Sequence, residues 1–308
     1  MSYKISIVIS SLIFLFASCD DVINPELPEA DAVLVVDAWV NNLPQEQVIK
    51  LTSSQSYFDN NLPTGIEGAE VFITSGTDTY VFDYTSDGAY VWTPDANQTF
   101  GALGKEYTLT VKYDNEEYTS TAVLNPVPKI DSVTFKFEEE TTFFPESYLG
   151  EFWSRDLAGE GNTYWIKTFK NEQQLEKPEE INIAYDAGFS KGGGLDDIIF
   201  IPPIREAVNP FDEDENGDFL SPFSDGDSLY VEIHSINEDA FNFLTNVRVQ
   251  TDRPGGFGEL FAQPLANVPT NIENTNPNSN KIAQGFFNVA AVEFNGKKLD
   301  VSKVPKGN

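Results

Sequence analysis

The stretch that decides the fold is KEYTLTVKYDNEEYTSTAVL, residues 105–124. Apolar side chains such as Leu109 and Val111 alternate with threonines before its centre, and a second alternating run follows. A period of two is typical of a half-buried β-strand. The polar pair Asp114-Asn115 lies between the two runs and favours a tight turn. The stretch therefore predicts a β-hairpin.

Similar short runs recur along the chain at roughly regular intervals, with turn residues between them. They are VLVVDAWV, QVIKLTSS, AEVFITS, TYVFDY and AYVW on the N-terminal side of the hairpin, and IDSVTFKFEEE, NTYWIKTFK, INIAYD, DIIFIPPI, SLYVEIHSI and FFNVAAVEF on its C-terminal side. The proline-bearing NPVPK (125–129) reads as a linker. We expect a mainly β fold of two domains, an immunoglobulin- or fibronectin-like β-sandwich at 33–125 and a larger β-sandwich at 129–304.

One segment of the second predicted domain breaks the strand pattern. Ser235 to Glu238 forms a capping-box sequence. The apolar residues that follow recur at helical spacing. They are Ala240, Phe241, Leu244 and Val247. The sequence therefore predicts a helix near 237–249, packed on a sheet through that stripe.

Composition narrows the classes of partner. The formal net charge is −30, from 49 acidic and 19 basic residues. We expect no nucleic-acid binding, because it requires clustered lysine and arginine to neutralise phosphates. The chain has one cysteine and one histidine. An intrachain disulfide is thus impossible, and a multi-histidine zinc site cannot form.

The N-terminal residues predict an exported protein. ISIVISSLIFLFA (5–17) has the length of a signal-peptide core and is too short to span a bilayer. Ala17-Ser18-Cys19 resembles the lipobox of bacterial lipoproteins, in which the cysteine thiol carries a lipid. We expect a signal peptide at 1–18, a covalent lipid on Cys19 and an acidic tether at 19–32. The alternative is an ordinary secretory signal beside a chance cysteine.

Longer motifs carry a resemblance to a known family. SINEDAFNFLTNVRVQTDRPGGFGELF and AQGFFNVAAVEF, together with VLVVDAWVNN and GAEVFI upstream, resemble a Bacteroidota lipoprotein family of unknown function over about residues 19–300. That family is typically encoded beside SusC-like TonB-dependent outer-membrane receptors. The resemblance implies such a receptor as partner. It also implies that Asp20 and Asp21, directly after the lipid-bearing cysteine, act as an export signal to the outer face of the outer membrane.

FDEDENGDF (211–219) is the strongest candidate for metal binding, since it matches the first half of a calcium loop, D-x-D-x-N-G. Phe223 stands where such loops place a bidentate glutamate, so later aspartates would have to complete the shell. The candidate ligands of Ca²⁺ are Asp212, Asp214, Asn216, Asp218, Asp225 and Asp227. The alternative is a solvated acidic hairpin tip.

TTFFPESYLGEFWSRD (141–156) concentrates aromatic residues in what we expect to be a loop. Such side chains can anchor a protein partner or stack on sugars. They can equally close the end of a sandwich. The candidate interface residues are Phe143, Phe144, Tyr148, Phe152 and Trp153.

No motif supports nucleophilic catalysis. KGGGLDD (191–197) lacks the spacing of a phosphate-binding loop and is interpreted as a flexible loop. His234 lies in a strand pattern and is interpreted as a satisfied strand histidine rather than a general base. We expect no enzymatic activity, although a surface hydrolase that uses carboxylates is a third, weaker hypothesis.

The expected function is that of a lipid-anchored, cell-surface accessory protein of a SusC-like TonB-dependent receptor. It would help to capture a substrate or cover the barrel. The alternative is a structural subunit of a larger outer-membrane complex, without a ligand of its own.

Overall fold

The computed structural model describes residues 31–56, 59, 61–95, 100–142 and 144–306. Strands dominate them, as the alternation predicts. They are β1 (Leu34–Asn41), β2 (Gln47–Ser53), β3 (Glu70–Ser75), β4 (Asp78–Tyr84), β5 (Ala89–Trp92), β6 (Glu106–Tyr113), β7 (Glu116–Val123), β8 (Ile130–Glu138), β9 (Ser147–Ser154), β10 (Thr163–Lys170), β11 (Gln173–Gln174), β12 (Asn182–Tyr185), β13 (Ser228–Ile236), β14 (Glu273–Asn274), β15 (Ala283–Ala290) and β16 (Val292–Lys298).

Helices are few in the described residues. The α-helices are α1 (Pro202–Glu206) and α2 (Glu238–Thr251), and short 3-10 helices cover Pro178–Glu180, Gly256–Phe261 and Val301–Lys303. The predicted mainly β fold is confirmed.

The predicted hairpin is formed by β6 and β7, which pair antiparallel with Tyr113 opposite Glu116. Asp114 and Asn115 between them have φ angles of 52° and 60°. Two successive left-handed residues form the turn whose twist matches that of the flanking strands. Leu109 is fully buried, so the apolar face of the hairpin packs into a core.

Nine strands form one continuous sheet in the order β14-β7-β6-β3-β4-β5-β2-β1-β15. Its neighbours are antiparallel except β1 and β15, which run parallel with Leu34 opposite Ala283. The sheet curls until β15 lies against β7, which makes a nearly closed barrel. The barrel is filled by side chains that include Tyr80, Phe100 and Tyr107. It is thus a packed core.

A side-chain amide joins the two ends of the curled sheet. Asn271 precedes β14, and its Oδ1 accepts a hydrogen bond of 2.9 Å from the backbone N–H of Phe287 in β15. Its Nδ2 donates to the Phe287 carbonyl oxygen at 2.8 Å. The amide thereby supplies the donor and acceptor that a neighbouring strand would supply.

A second sheet has the order β11-β10-β13-β16, with β12 paired to the other part of β10. The β8–β9 hairpin packs against β13 and β16. Between them lies a second core, in which Phe152, Phe200 and Val231 are fully buried.

Helix α2 confirms the predicted helix near 237–249. The Asn237 Oδ1 caps it by accepting from the Ala240 N–H at 2.7 Å. Its apolar face packs against β12 and β15. The shared cluster includes Phe241, Leu244 and Phe286.

The predicted division into two sandwich domains at 125–129 is not confirmed. Residues 32–55 and the described residues from Asp59 onward form one compact unit. Strands β14 and β15 lie far beyond the predicted linker and pair with β7 and β1 of the first sheet. Local strand signals carry no information on such long-range pairings.

Two local predictions are wrong. Strand β9 runs through the expected aromatic loop and pairs with β8, and its buried Glu151 is paired with Arg205 at 2.7 Å. In the expected strand DIIFIPPI, Pro202 and Pro203 instead begin α1, whose Ile204 is fully buried. Proline suits the first turn of a helix, where its missing N–H is not needed.

Candidate functional site

The aspartates of the predicted calcium loop bind neighbouring groups of the protein. Asp212 Oδ1 lies 2.6 Å from Lys177 Nζ. Asp214 Oδ1 accepts from the N–H groups of Asn216 (2.7 Å) and Asp218 (3.0 Å), which closes a local turn. Within the described ranges, these side chains form no group of three acidic residues close enough to share an ion. Calcium binding by this loop stays a prediction.

Asp225 and Asp227, proposed to complete that shell, are engaged by other segments. Asp225 Oδ1 accepts from the Val301 N–H at 3.0 Å. Asp227 accepts from the Ser224 N–H at 2.9 Å and from Asn171 Nδ2 at 2.8 Å. Their hydrogen bonds stabilise the turns beside β13.

The candidate interface residues are distributed over different environments. Phe144 is half exposed and stacks on Phe219, with ring centroids 4.9 Å apart. Tyr148 packs within the β8–β9 hairpin, and Phe152 belongs to the second core. Trp153 lies under the Arg205 guanidinium, 4.0 Å from its ring centroid. Of the described candidates, Phe144 is the one with its ring largely at the surface.

Four residues singled out in the sequence lie outside the described residues. They are Cys19, Asp20, Asp21 and Phe143. The lipid anchor and the export signal therefore stay predictions.

His234 is a buried strand histidine in β13. Its Nε2 lies 2.7 Å from Glu232 Oε2. Burial lowers the pKa of His234 to about 4, although the hydrogen bond to Glu232 opposes this shift; the charge of Lys167 lowers the pKa further. The imidazole is therefore neutral at pH 7 and donates from Nε2 to the carboxylate.

We expect His234 to make stability fall in mild acid. In the unfolded chain a histidine takes up a proton near pH 6.5, whereas the folded protein does so only near pH 4. This contribution is thus present at neutral pH and is lost as the pH falls, by about 2 kcal/mol between pH 7 and pH 5. Urea unfolding at both pH values measures it. His234→Gln should remove that part of the pH dependence, and an unchanged dependence would contradict the assignment.

A polar cleft of about 530 Å³ lies between α2, β7 and the segment before β14. Helix α2 contributes Asp239, Asn242 and Asn246, which recur at helical spacing opposite the buried face. Thr119 and Thr121 of β7 face them, and the rings of Phe243 and Phe286 complete the lining. The volume is in the range of small-molecule sites. The polar face of α2 was the signal in the sequence for this cleft, but the helix was predicted from its apolar face alone.

Three carboxylates converge at a different place, on loops that follow β9 and β12. Asp156 follows β9, Asp186 follows β12, and Asp196 ends the glycine-rich loop that was interpreted as flexible. One oxygen from each lies within 4.8 Å of the others. In the described part of the chain, this is the only acidic or histidine group of three or more with that proximity.

Backbone N–H groups of the 159–162 loop hold two of these carboxylates. Asp186 Oδ1 accepts from Gly161 (2.8 Å) and Asn162 (2.9 Å), and Asp196 Oδ1 accepts from Gly159 (2.9 Å). Gly161 has a φ of 102°, a conformation that side chains disfavour. The glycines thus let the backbone turn its donors toward both aspartates.

Asp156 is the most buried member of the group, with 2% of its surface exposed. The Tyr164 hydroxyl donates to its Oδ1 at 2.6 Å, while Oδ2 has no hydrogen-bond partner. Burial raises the pKa of Asp156 to about 6, and the negative charge of Asp186 adds to this; the Tyr164 hydroxyl and the backbone N–H groups of Asp197 and Leu157 oppose it. Sequence spacing does not reveal this group, because Asp156 is thirty residues from Asp186 and forty from Asp196. The available signals were the glycines beside Asp156 and Asp196.

An exposed apolar segment follows α2. Phe257, Leu260 and Phe261 lie in or beside the 3-10 helix Gly256–Phe261, and each is exposed over about three quarters of its surface or more. Such a cluster is a feature of contact surfaces. None of the described helices is both long enough and apolar enough to cross a bilayer.

The fold places the chain among mainly β proteins built on a nearly closed, barrel-like sheet. The chain belongs to the family described as "Domain of unknown function (DUF4249)", whose model matches residues 20–294. No curated protein and no solved structure matches the chain.

Proposed function

We propose that the protein is a lipid-anchored accessory protein on the outer face of the outer membrane. There it captures a polar ligand for a SusC-like TonB-dependent receptor. The lipobox-like Ala17-Ser18-Cys19 supports the anchor, and Asp20-Asp21 supports the outward location. The Bacteroidota origin and the receptor partner rest on the resemblance of the quoted motifs.

The observation that carries the capture role is the cleft beside α2. Its amide, hydroxyl and carboxylate groups offer donors and acceptors at close spacing, and the partly exposed ring of Phe243 adds apolar surface. That combination suits a neutral, hydroxyl-rich ligand such as an oligosaccharide, because hydroxyls bond to the polar groups while a sugar face covers a ring. The proposed role is binding; the one histidine, His234, is buried against Glu232 and is not available as a general base.

The double variant Asn242→Ala/Asn246→Ala is expected to weaken oligosaccharide binding at least about tenfold, because each lost hydrogen bond is worth about 1 kcal/mol. Both residues are exposed, so the fold should tolerate the change. A glycan array with the purified full chain identifies the ligand, and titration calorimetry measures the affinity. Asn278→Ala, at an exposed site outside the cleft lining, is the matched control. Wild-type protein that binds no glycan would contradict the capture role.

The alternative is a structural subunit of a larger outer-membrane complex without a ligand of its own. The exposed Phe257, Leu260 and Phe261 favour a protein partner in either case. A pull-down from detergent-solubilised membranes separates the two. A barrel receptor recovered alone supports the accessory role, and a multi-protein assembly supports the structural one. Recovery of neither contradicts both.

A further inference from the structure

We propose that Asp156, Asp186 and Asp196 bind a divalent cation, and that this cation is Ca²⁺. The site is distinct from the predicted loop at 211–219 and from the cleft beside α2. It stands independently of the proposed function, because its evidence is the geometry of the chain segments that follow β9 and β12.

One oxygen of the Asp156 carboxylate accepts no hydrogen bond from the described residues. This side chain is almost fully buried, and its Oδ2 has no hydrogen-bond partner. A buried carboxylate oxygen without a partner is strongly unfavourable unless a positive charge balances it. One oxygen of Asp156 lies within 4.8 Å of oxygens from Asp186 and Asp196, so the three side chains point toward a common space.

Within the described residues, the three aspartates also lack a basic side chain that would balance their negative charge. Across the described residues, no lysine or arginine forms an ion pair with any of the three aspartates. Lys191 lines the cavity beside Asp186 and Asp196, but its Nζ is paired with Glu238 at 2.8 Å. Arg155 donates to the carbonyl oxygen of Asp197. Three carboxylates at this separation repel one another, and a divalent cation removes most of that repulsion.

Backbone N–H groups hold two of the three carboxylates in place before any cation binds. The N–H groups of Gly159, Gly161 and Asn162 each bind one oxygen of Asp186 or Asp196. No hydrogen bond is made to the second oxygen of either side chain in the described structure. The carboxylates are therefore oriented by backbone donors in the way that outer-shell contacts orient metal ligands.

The chemistry of the donors selects the cation. All three ligands are carboxylate oxygens, which suit hard cations such as Ca²⁺ and Mg²⁺ and not ions that prefer nitrogen or sulfur. Ca²⁺ accepts several protein carboxylates in irregular geometry, whereas Mg²⁺ requires a near-ideal octahedron and usually keeps several of its waters, so three converging carboxylates favour Ca²⁺. An adjoining cavity of about 350 Å³, lined by Gly161, Asp186 and Asp196, has room for the waters that complete the shell.

The expected consequence is a cation that fastens three segments of the chain. Asp156 and Asp186 follow β9 and β12, and Asp196 follows the glycines of 192–194. Binding would order the glycine-rich loop against the second sheet. It would also raise the melting temperature, because the folded protein alone holds the ligands together.

The test uses the purified full chain, freed of metal by a chelator and titrated with CaCl₂. We expect one Ca²⁺ per chain with a Kd at or below about 1 mM, as in extracellular sites, and a Tm increase of several degrees at saturation. Asp156→Asn and Asp186→Asn should each weaken binding at least about tenfold. Asp212→Asn, in the loop paired with Lys177, should leave it unchanged.

Two further measurements decide between a cation site and a purely structural role. In chelator, Asp156→Asn should melt no lower than the wild type, because it removes a buried, unpaired charge; a lower Tm would mean a purely structural role for Asp156. Titration with MgCl₂ should give at least about tenfold weaker binding. The proposal is overturned if CaCl₂ does not bind, if Mg²⁺ binds equally well, or if Asp212→Asn abolishes binding while Asp156→Asn retains it.

Discussion

Replacing Gly285 by alanine is expected to destabilise the protein by roughly 3–5 kcal/mol, the combined effect of backbone strain and overpacking. Gly285 has a φ of 96°, and a Cβ at this position would lie 1.9 Å from the carbonyl oxygen of Val36. Val36 is its partner in the parallel β1–β15 pair. The added methyl group would therefore force β15 away from β1 and open the barrel. Guanidinium unfolding measures the loss.

Gly104→Ala is the matched control for Gly285→Ala. Gly104 also has a left-handed backbone, with a φ of 72°, but a Cβ there would meet nothing within 4 Å. This variant should show the strain alone, about 1–2 kcal/mol. Equal losses in the two variants would show that the contact with Val36 does not hold the strands in register.

Replacing Asn271 by alanine is expected to destabilise the protein by about 2–4 kcal/mol. Its side chain makes both hydrogen bonds to the backbone of Phe287, a fully buried residue. Alanine would leave that N–H and that carbonyl without partners, and each unsatisfied buried group costs about 1–3 kcal/mol. Denaturant unfolding measures the loss of stability. Hydrogen exchange should show much faster exchange of the Phe287 amide.

Asn278→Ala is the control for Asn271→Ala, because Asn278 is exposed and lies just beyond β14, on the other side of that short strand. We expect its stability within about 0.5 kcal/mol of the wild type. Full protection of the Phe287 amide in Asn271→Ala would show that the sheet stays closed without the side-chain amide.

The acidic residues that are crowded together in the sequence are not the ones that converge in the structure. FDEDENGDF has adjacent acidic residues, and neighbours in a tight turn satisfy one another locally, as Asp214 does with the N–H groups of Asn216 and Asp218. Asp156 is separated from Asp186 and Asp196 by three strands, β10, β11 and β12. Their proximity depends on how β9, β10 and β12 are arranged, which no spacing rule reveals.

The aromatic segment at 141–156 shows a related limit. Glu151 interrupts the apolar pattern and suggests a loop, yet it is buried and paired with Arg205 of α1. A charge in a strand is tolerated when a distant residue neutralises it. The local pattern cannot contain that partner, so the strand was missed.

The sequence by itself determined the elements whose signals are local. Alternation and turn residues specified hairpins such as β6–β7, and an apolar stripe at helical spacing specified α2, although its cap is Asn237 and Ser235 of the predicted capping box lies in β13. Only the tertiary structure decided how those elements are joined. The pairing of Leu34 with Ala283 turns a row of hairpins into a nearly closed barrel. The physical reason is that strand patterns fix which face is buried, while the choice of a distant partner depends on packing across the whole core.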